Sequence, residues 1–276
     1  YWALTIRPRA RLWRGLLLLL LTLTVGLAIA APVLLPAAEM AQFTKRSDLD
    51  YREASAYSLP PAKLIGLLIP SFFERDPALH WGPWDRVEVG YVGVFPLLLA
   101  LLAVLLRRQR VNLFLALLSI GALFIALGEY GILHGWLYQF APGFDRLRAP
   151  ARAVLLLDFG LAALAAQGLD ALLRPLPRPQ RASWRRFLKL APWCWLGAVL
   201  FSAPLAYYSL LMGQEKDPAI FLRIARAANG VVLFLVFLSL SFFWLAIRPW
   251  RCVRSIALGL LAFVLVLLDL AGAGAY

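Results

Sequence analysis

The sequence predicts an all-α, polytopic helical membrane protein with about seven transmembrane helices and short interfacial helices in its outer loops. Three observations carry that prediction. Of the 276 residues, 62% are hydrophobic and the mean hydropathy is +0.75, whereas a soluble domain is nearer half apolar. Several apolar runs approach or exceed the roughly 18 residues that suggest a membrane span. Acid-free basic loops alternate with loops of mixed charge from one end of the chain to the other, as the positive-inside rule requires. The alternation in segments of about ten residues that marks a β-barrel is absent.

The net charge of +13 would suggest nucleic acid in a soluble protein. Here the excess sits mostly in short loops between apolar runs. It reads as a topology signal and as contact with anionic membrane lipids, with no nucleic-acid partner. The two cysteines, Cys194 in an apolar run and Cys252 in a basic loop, form no disulfide framework or CxxC pair and read as structural.

Taken in order, Tyr1 to Arg14 carries Arg7, Arg9, Arg11 and Arg14 and no acid, which places it inside. The chain lacks an initiator Met, and it is expected to be a piece of a longer polypeptide with a single transmembrane domain over 1–276. Span one covers about 15–38, with Pro32 and Pro36 near its far end. An outer loop of mixed charge, 39–88, follows. Its apolar stretch 59–73 is too short to span and is expected to lie at the interface as a helix. His80-Trp81-Gly82-Pro83-Trp84 then reads as part of an aromatic belt. Spans two and three, 89–106 and 111–128, are joined by the basic turn Arg107, Arg108 and Arg110. The partly apolar 129–140 is expected to be an interfacial helix, and span four covers 151–173. The loop Arg174 to Lys189 carries six basic residues and no acid, the strongest inner loop of the chain. Spans five, six and seven follow at 190–212, 228–247 and 255–273. The resulting topology is multi-pass, with the N-terminus inside and the C-terminus outside.

The stretch with most chemical content is Pro142-Gly-Phe-Asp-Arg-Leu-Arg-Ala-Pro-Ala-Arg152, which runs directly into span four. It puts Arg146, Arg148 and Arg152 at an outer helix mouth, against the usual charge bias. Pro150 suits the first helical turn. The helix end behind it would offer free N–H groups and a positive dipole end. Arginine forks match phosphate oxygens bidentately, so these parts suit a lipid phosphate at headgroup depth. The competing reading has the same arginines snorkelling to headgroups or pairing with Asp145 and Glu129.

Asp158, about two turns into span four, is an acid at a costly depth. It marks either function or a buried packing partner. Gln167 reads as interhelical glue and Asp170 as a solvated residue near the inner interface. Asp48-Leu49-Asp50 is an acid-x-acid pair of the kind that holds a divalent metal against a diphosphate or serves as a base, though the pattern often arises by chance. His80 and His134 lack ligand-spaced companions, so no zinc site is expected. No GxSxG, phosphate-binding loop or dinucleotide fingerprint is present.

Four stretches also carry a resemblance. They are Ala31-Pro-Val-Leu-Leu-Pro-Ala-Ala-Glu39, Tyr57-Ser-Leu-Pro-Pro-Ala-Lys-Leu-Ile-Gly-Leu-Leu-Ile-Pro70, Gly90-Tyr-Val-Gly-Val-Phe-Pro-Leu97, and the arginine stretch with Gln167-Gly-Leu-Asp170. In that order they resemble the YfhO-type bacterial membrane proteins, which are grouped with the GT-C glycosyltransferases. The match runs from about Gly15 to the end. The resemblance implies a bacterial cytoplasmic-membrane enzyme that takes a sugar from a polyprenyl-phosphate carrier on the outer face and passes it to a cell-envelope acceptor. It implies Arg148 and Arg152, with Arg146 beside them, as holders of the carrier phosphate. In the GT-C fold the catalytic acid typically lies in the first outer loop, a region expected to precede Tyr1. The catalytic residue is therefore unknown within this chain, and Asp48 and Asp50 match no catalytic motif of the family. The alternatives are a polytopic transporter or lipid flippase, and a non-catalytic membrane subunit.

Overall fold

The computed structural model describes residues 9–42, 49–70, 72–74, 80, 90–107, 109–142, 144–174, 177–212, 217–247 and 255–274. The described residues contain helices and no strand. Five helices are long and apolar enough to cross a membrane. The chain divides into two compact units, 1–56 with 135–149, and 57–134 with 150–276.

In the first unit α1 (Arg9–Gln42) is a 34-residue helix that continues through Pro32 and Pro36. Within its membrane-length stretch, Trp13–Ala37, the most apolar 18 residues include none that is buried by protein. An apolar surface of that length needs lipid or a further apolar partner around it. The hydroxyls of Thr22 and Thr24 bond back to the carbonyls of Leu18 and Leu20 at 2.7 and 2.8 Å, so neither meets the apolar surroundings unsatisfied. A single turn, α2 (Tyr51–Ala54), is capped by Asp50. The Tyr51 ring packs edge-on against Tyr138, with centroids 5.3 Å apart, and the Tyr138 hydroxyl donates to the Leu49 carbonyl at 2.8 Å.

The second unit holds α3 (Val94–Leu106), α4 (Arg110–Ala126), α6 (Val154–Leu173), α7 (Arg178–Met212), α8 (Pro218–Ile247) and α9 (Ser255–Gly274). Between α4 and α6 the short helix α5 (Ile132–Phe140) occupies the stretch expected to be interfacial. Helix α6 is the central element, packed on both α3 and α4. Glycines allow the close approach: a Cβ on Gly168 would overlap the Leu99 carbonyl oxygen, and one on Gly160 would overlap the Ser119 hydroxyl. Small residues at such crossings let helix backbones meet without the hydrophobic drive available in water. Helices α7, α8 and α9 complete the core, with Phe95 edge-on to Trp244 at 5.1 Å and the Trp244 indole donating to the Leu258 carbonyl at 3.1 Å.

Both ends of the bundle carry polar ties. At one end Asp170 pairs with Arg107 at 2.8 Å and Arg174 at 2.9 Å. There the Asn112 amide also donates to the Ala103 and Arg107 carbonyls, which satisfies the open C-terminus of α3. At the other end Tyr57-Ser58-Leu59 is a junction. The Ala151 amide donates to the Tyr57 carbonyl, the Glu129 amide to the Ser58 hydroxyl, and the Leu59 amide to the Ala126 carbonyl. The end of α4 and the start of α6 are thus tied to one short segment.

Several predicted spans differ from their helices. Helix α7 begins at Arg178 rather than 190, so most of the basic stretch 174–189 expected as an inner loop is helical, and α8 begins at Pro218 rather than 228. Span two was expected over 89–106, but α3 begins only at Val94, behind Gly93 at φ +97°. Span three closes at Ala126 rather than 128. The stretch expected as an interfacial helix over 59–73 is a 3-10 helix, Pro61–Leu67. Proline at its first position fixes φ but donates no hydrogen bond.

Candidate functional site

Segment Gly90-Tyr91-Val92-Gly93 leads into α3 without helical hydrogen bonds of its own. Non-helical backbone is tolerated at membrane depth only where protein covers it or it lines a cavity. Here two carboxylates from different helices meet it. Asp269 of α9, 1% exposed, accepts from the Tyr91 hydroxyl at 2.5 Å and from the Val94 amide at 2.8 Å. It thereby caps a helix start that has no side-chain cap of its own. Asp158 of α6 packs its carboxyl where a Cβ on Gly90 would stand. Its Oδ1 is buried and has no hydrogen-bond partner among the described residues.

Two spaces flank Tyr91. The larger is a groove of about 560 Å³ lined by Tyr91, Pro96, Asp158, Phe159, Ala166 and Leu169, among others. Phe159 is 62% exposed and Leu155, also in its wall, 75%, so the groove opens on the lipid-facing side of α6. The smaller space, about 20 Å³, lies between Tyr91, Asp269 and Arg226 and has room for about one water. Arg226 is paired at 2.9 Å with Glu74, which is itself buried and has φ +63°. The His80 Nδ1–H donates to the Glu74 carbonyl at 2.7 Å.

The residues singled out from the sequence fall in both units. Arg146 ends a 3-10 turn, Phe144–Arg146, and Arg148 is exposed two residues later. Both belong to the first unit. Arg152, in the second unit, is exposed on the 3-10 turn Pro150–Ala153 that opens α6, and no side chain caps that helix. Ala149, just before the turn, has φ +64°, a conformation that costs a non-glycine residue energy. Asp158 lines the groove. Asp50 caps α2 through the Tyr51 amide at 2.7 Å, and Asp48 lies outside the described residues. Among the described residues no three His, Cys, Asp or Glu side chains converge as a metal site. His134 is fully buried, and burial pushes its imidazole below the ordinary value, which favours the neutral ring.

Asp269 was missed in the sequence. The signal was available, since an ionisable residue inside an apolar span points to a functional or paired site. Comparison with known proteins adds no assignment: no family model, no curated protein and no solved structure matches the chain.

Proposed function

We propose that this chain is the membrane part of a GT-C-like glycosyltransferase, transferring a sugar from a polyprenyl-phosphate-linked donor to a cell-envelope acceptor on the outer face of a bacterial cytoplasmic membrane. The observation that carries the reading is the start of α6, where an exposed Arg152 stands on a helix end that no side chain caps. A helix N-terminus favours an anion by its free N–H groups and its dipole, and an arginine fork adds a charge-assisted bond to phosphate. The resemblance also assigns Arg148, four residues earlier in sequence, and Arg146 to the carrier phosphate. In this reading the seven-span topology holds, with the N-terminus inside. The base that activates the acceptor hydroxyl is assigned to no residue. The protein's own contribution is to hold the leaving phosphate and stabilise its charge.

Replacing Arg148 and Arg152 together by alanine in the full-length protein should cut transfer from a lipid-linked sugar by about tenfold or more, with expression unchanged. Unaltered transfer would remove the phosphate role.

A transporter or flippase is the second reading, and one observation favours it. Asp158 and Asp269, from two helices, meet a non-helical segment at the start of a third. Non-helical backbone and intramembrane acids are parts from which transport sites are built. Substrate movement in proteoliposomes, lost on Asp158→Asn and independent of any sugar donor, would favour this reading over the first.

A further inference from the structure

The groove beside Asp158 has no role in the phosphate reading. Its wall is apolar along α6 from Leu155 to Leu169, a run of about 21 Å at helical rise. Its acidic side chain is Asp158, near one end, and the aromatic rings of Tyr91 and Phe159 also line it. The arginines expected to hold phosphate do not line it. The Asp158 Oδ1 is buried without a donor among the described residues. A carboxylate oxygen in that state is costly, and the cost falls when a cation or an N–H donor arrives. Aromatic faces beside it add attraction for a positive head. The volume, about 560 Å³, is in the range of sites that take a ligand of modest size.

We propose that this groove binds an amphiphile with a positively charged amine head, the ammonium on Asp158 and the aliphatic chain along Ala162, Ala166 and Leu169. Charge selects the occupant. An anionic lipid head would meet a carboxylate with no basic residue among the described residues of the lining, and a neutral chain would leave the buried oxygen unsatisfied. The groove opens towards lipid, so the ligand enters from the bilayer and needs no aqueous channel. The proposal does not depend on the transferase reading, because it uses none of the residues assigned to the phosphate.

The test uses the full-length protein in nanodiscs of zwitterionic lipid, with dodecylammonium, dodecanol and dodecyl phosphate as probes, measured by displacement of a fluorescent alkylamine. Dodecylammonium should bind about tenfold tighter than the alcohol, and the phosphate weakest of the three. Asp158→Asn should erase the preference for ammonium over alcohol. Ala166→Trp, at an exposed lipid-facing position, should fill the groove and weaken ammonium binding by about tenfold while leaving Asp158 in place. Should the Asn variant not yield folded protein, Ala166→Trp and the three-probe ranking decide the matter without it. Equal binding of ammonium and alcohol, tighter binding of the phosphate, or unchanged binding in Ala166→Trp would each overturn the proposal.

Discussion

Asp269 and Tyr91 are 178 residues apart in sequence, yet one hydrogen bond joins them and a second ties the same carboxylate to the Val94 amide. Asp269 is therefore a cap supplied from another helix, and its loss leaves both a buried hydroxyl and an open helix start. Asp269→Ala should cost about 1–3 kcal/mol for the orphaned donors, or more with the charge term, and lower the thermal midpoint by several degrees. Asp269→Asn should cost less, because its amide oxygen still accepts one of the two bonds. Thermal unfolding of the two variants in the same detergent checks the order; equal losses would mean that the carboxylate acts by charge alone. At this scale the sequence was legible in part. Asp158 stood out as an acid in an apolar run, and Asp269 carried the same signal. What no spacing could show was the partner, because Tyr91 reads as one more residue of span two until α9 is folded against α3.

At the scale of elements, helices were readable from apolar length and loop charge, while their ends and junctions were not. Helix α3 starts late because Gly93 takes a positive φ and the carboxylate of another helix supplies the cap. Neither feature belongs to the local apolar pattern. The Tyr57-Ser58-Leu59 junction is equally hidden, since its bonds go to residues 126, 129 and 151. Three of the four stretches that carried the resemblance hold such residues: Tyr57 and Ser58 at the junction, Gly90 and Gly93 at the two carboxylates, Gly168 at the α3–α6 crossing and Asp170 between two arginines. They are positions where backbone approach or a paired charge restricts the residue. Gly168→Ala must push α6 away from the Leu99 carbonyl and should cost about 1–3 kcal/mol. Gly197→Ala on α7, where an added Cβ meets nothing within 4 Å, should be neutral or stabilising by about 0.5–1 kcal/mol. Thermal midpoints of the pair in one detergent test this, and matching midpoints would show that α6 can shift without loss.

At the scale of the whole molecule the open question is how many segments cross the bilayer. Five helices are long enough by themselves. The other two apolar helices, α3 with 13 residues and α4 with 17, are about 20 and 26 Å long at helical rise, short of a hydrocarbon core of about 30 Å. For α3 the deficit has a physical remedy. The four residues from Gly90 to Gly93 are non-helical, with Gly93 buried and the other three half-buried, and extended chain advances at most about 3.3 Å per residue, so segment and helix together can reach the required thickness. The buried Asp269 carboxylate takes the Val94 amide, which has no helical partner, as a segment at depth requires. Charge agrees, because Arg107 and Arg110 flank the turn between α3 and α4 while Glu129 follows α4. The expectation is that α3 and α4 both cross. With Cys194 and Cys252 replaced by alanine, single cysteines at the exposed positions Gln109, Tyr130 and Asp217 report their side through a membrane-impermeant maleimide applied to whole cells. Cysteines at Tyr130 and Asp217 should label from outside, and one at Gln109 only after the membrane is opened. Labelling of Gln109 and Tyr130 from the same side would make α3 and α4 a re-entrant pair; the chain would then cross five times, and Asp158 would lie beside a half-membrane hairpin instead of between full spans.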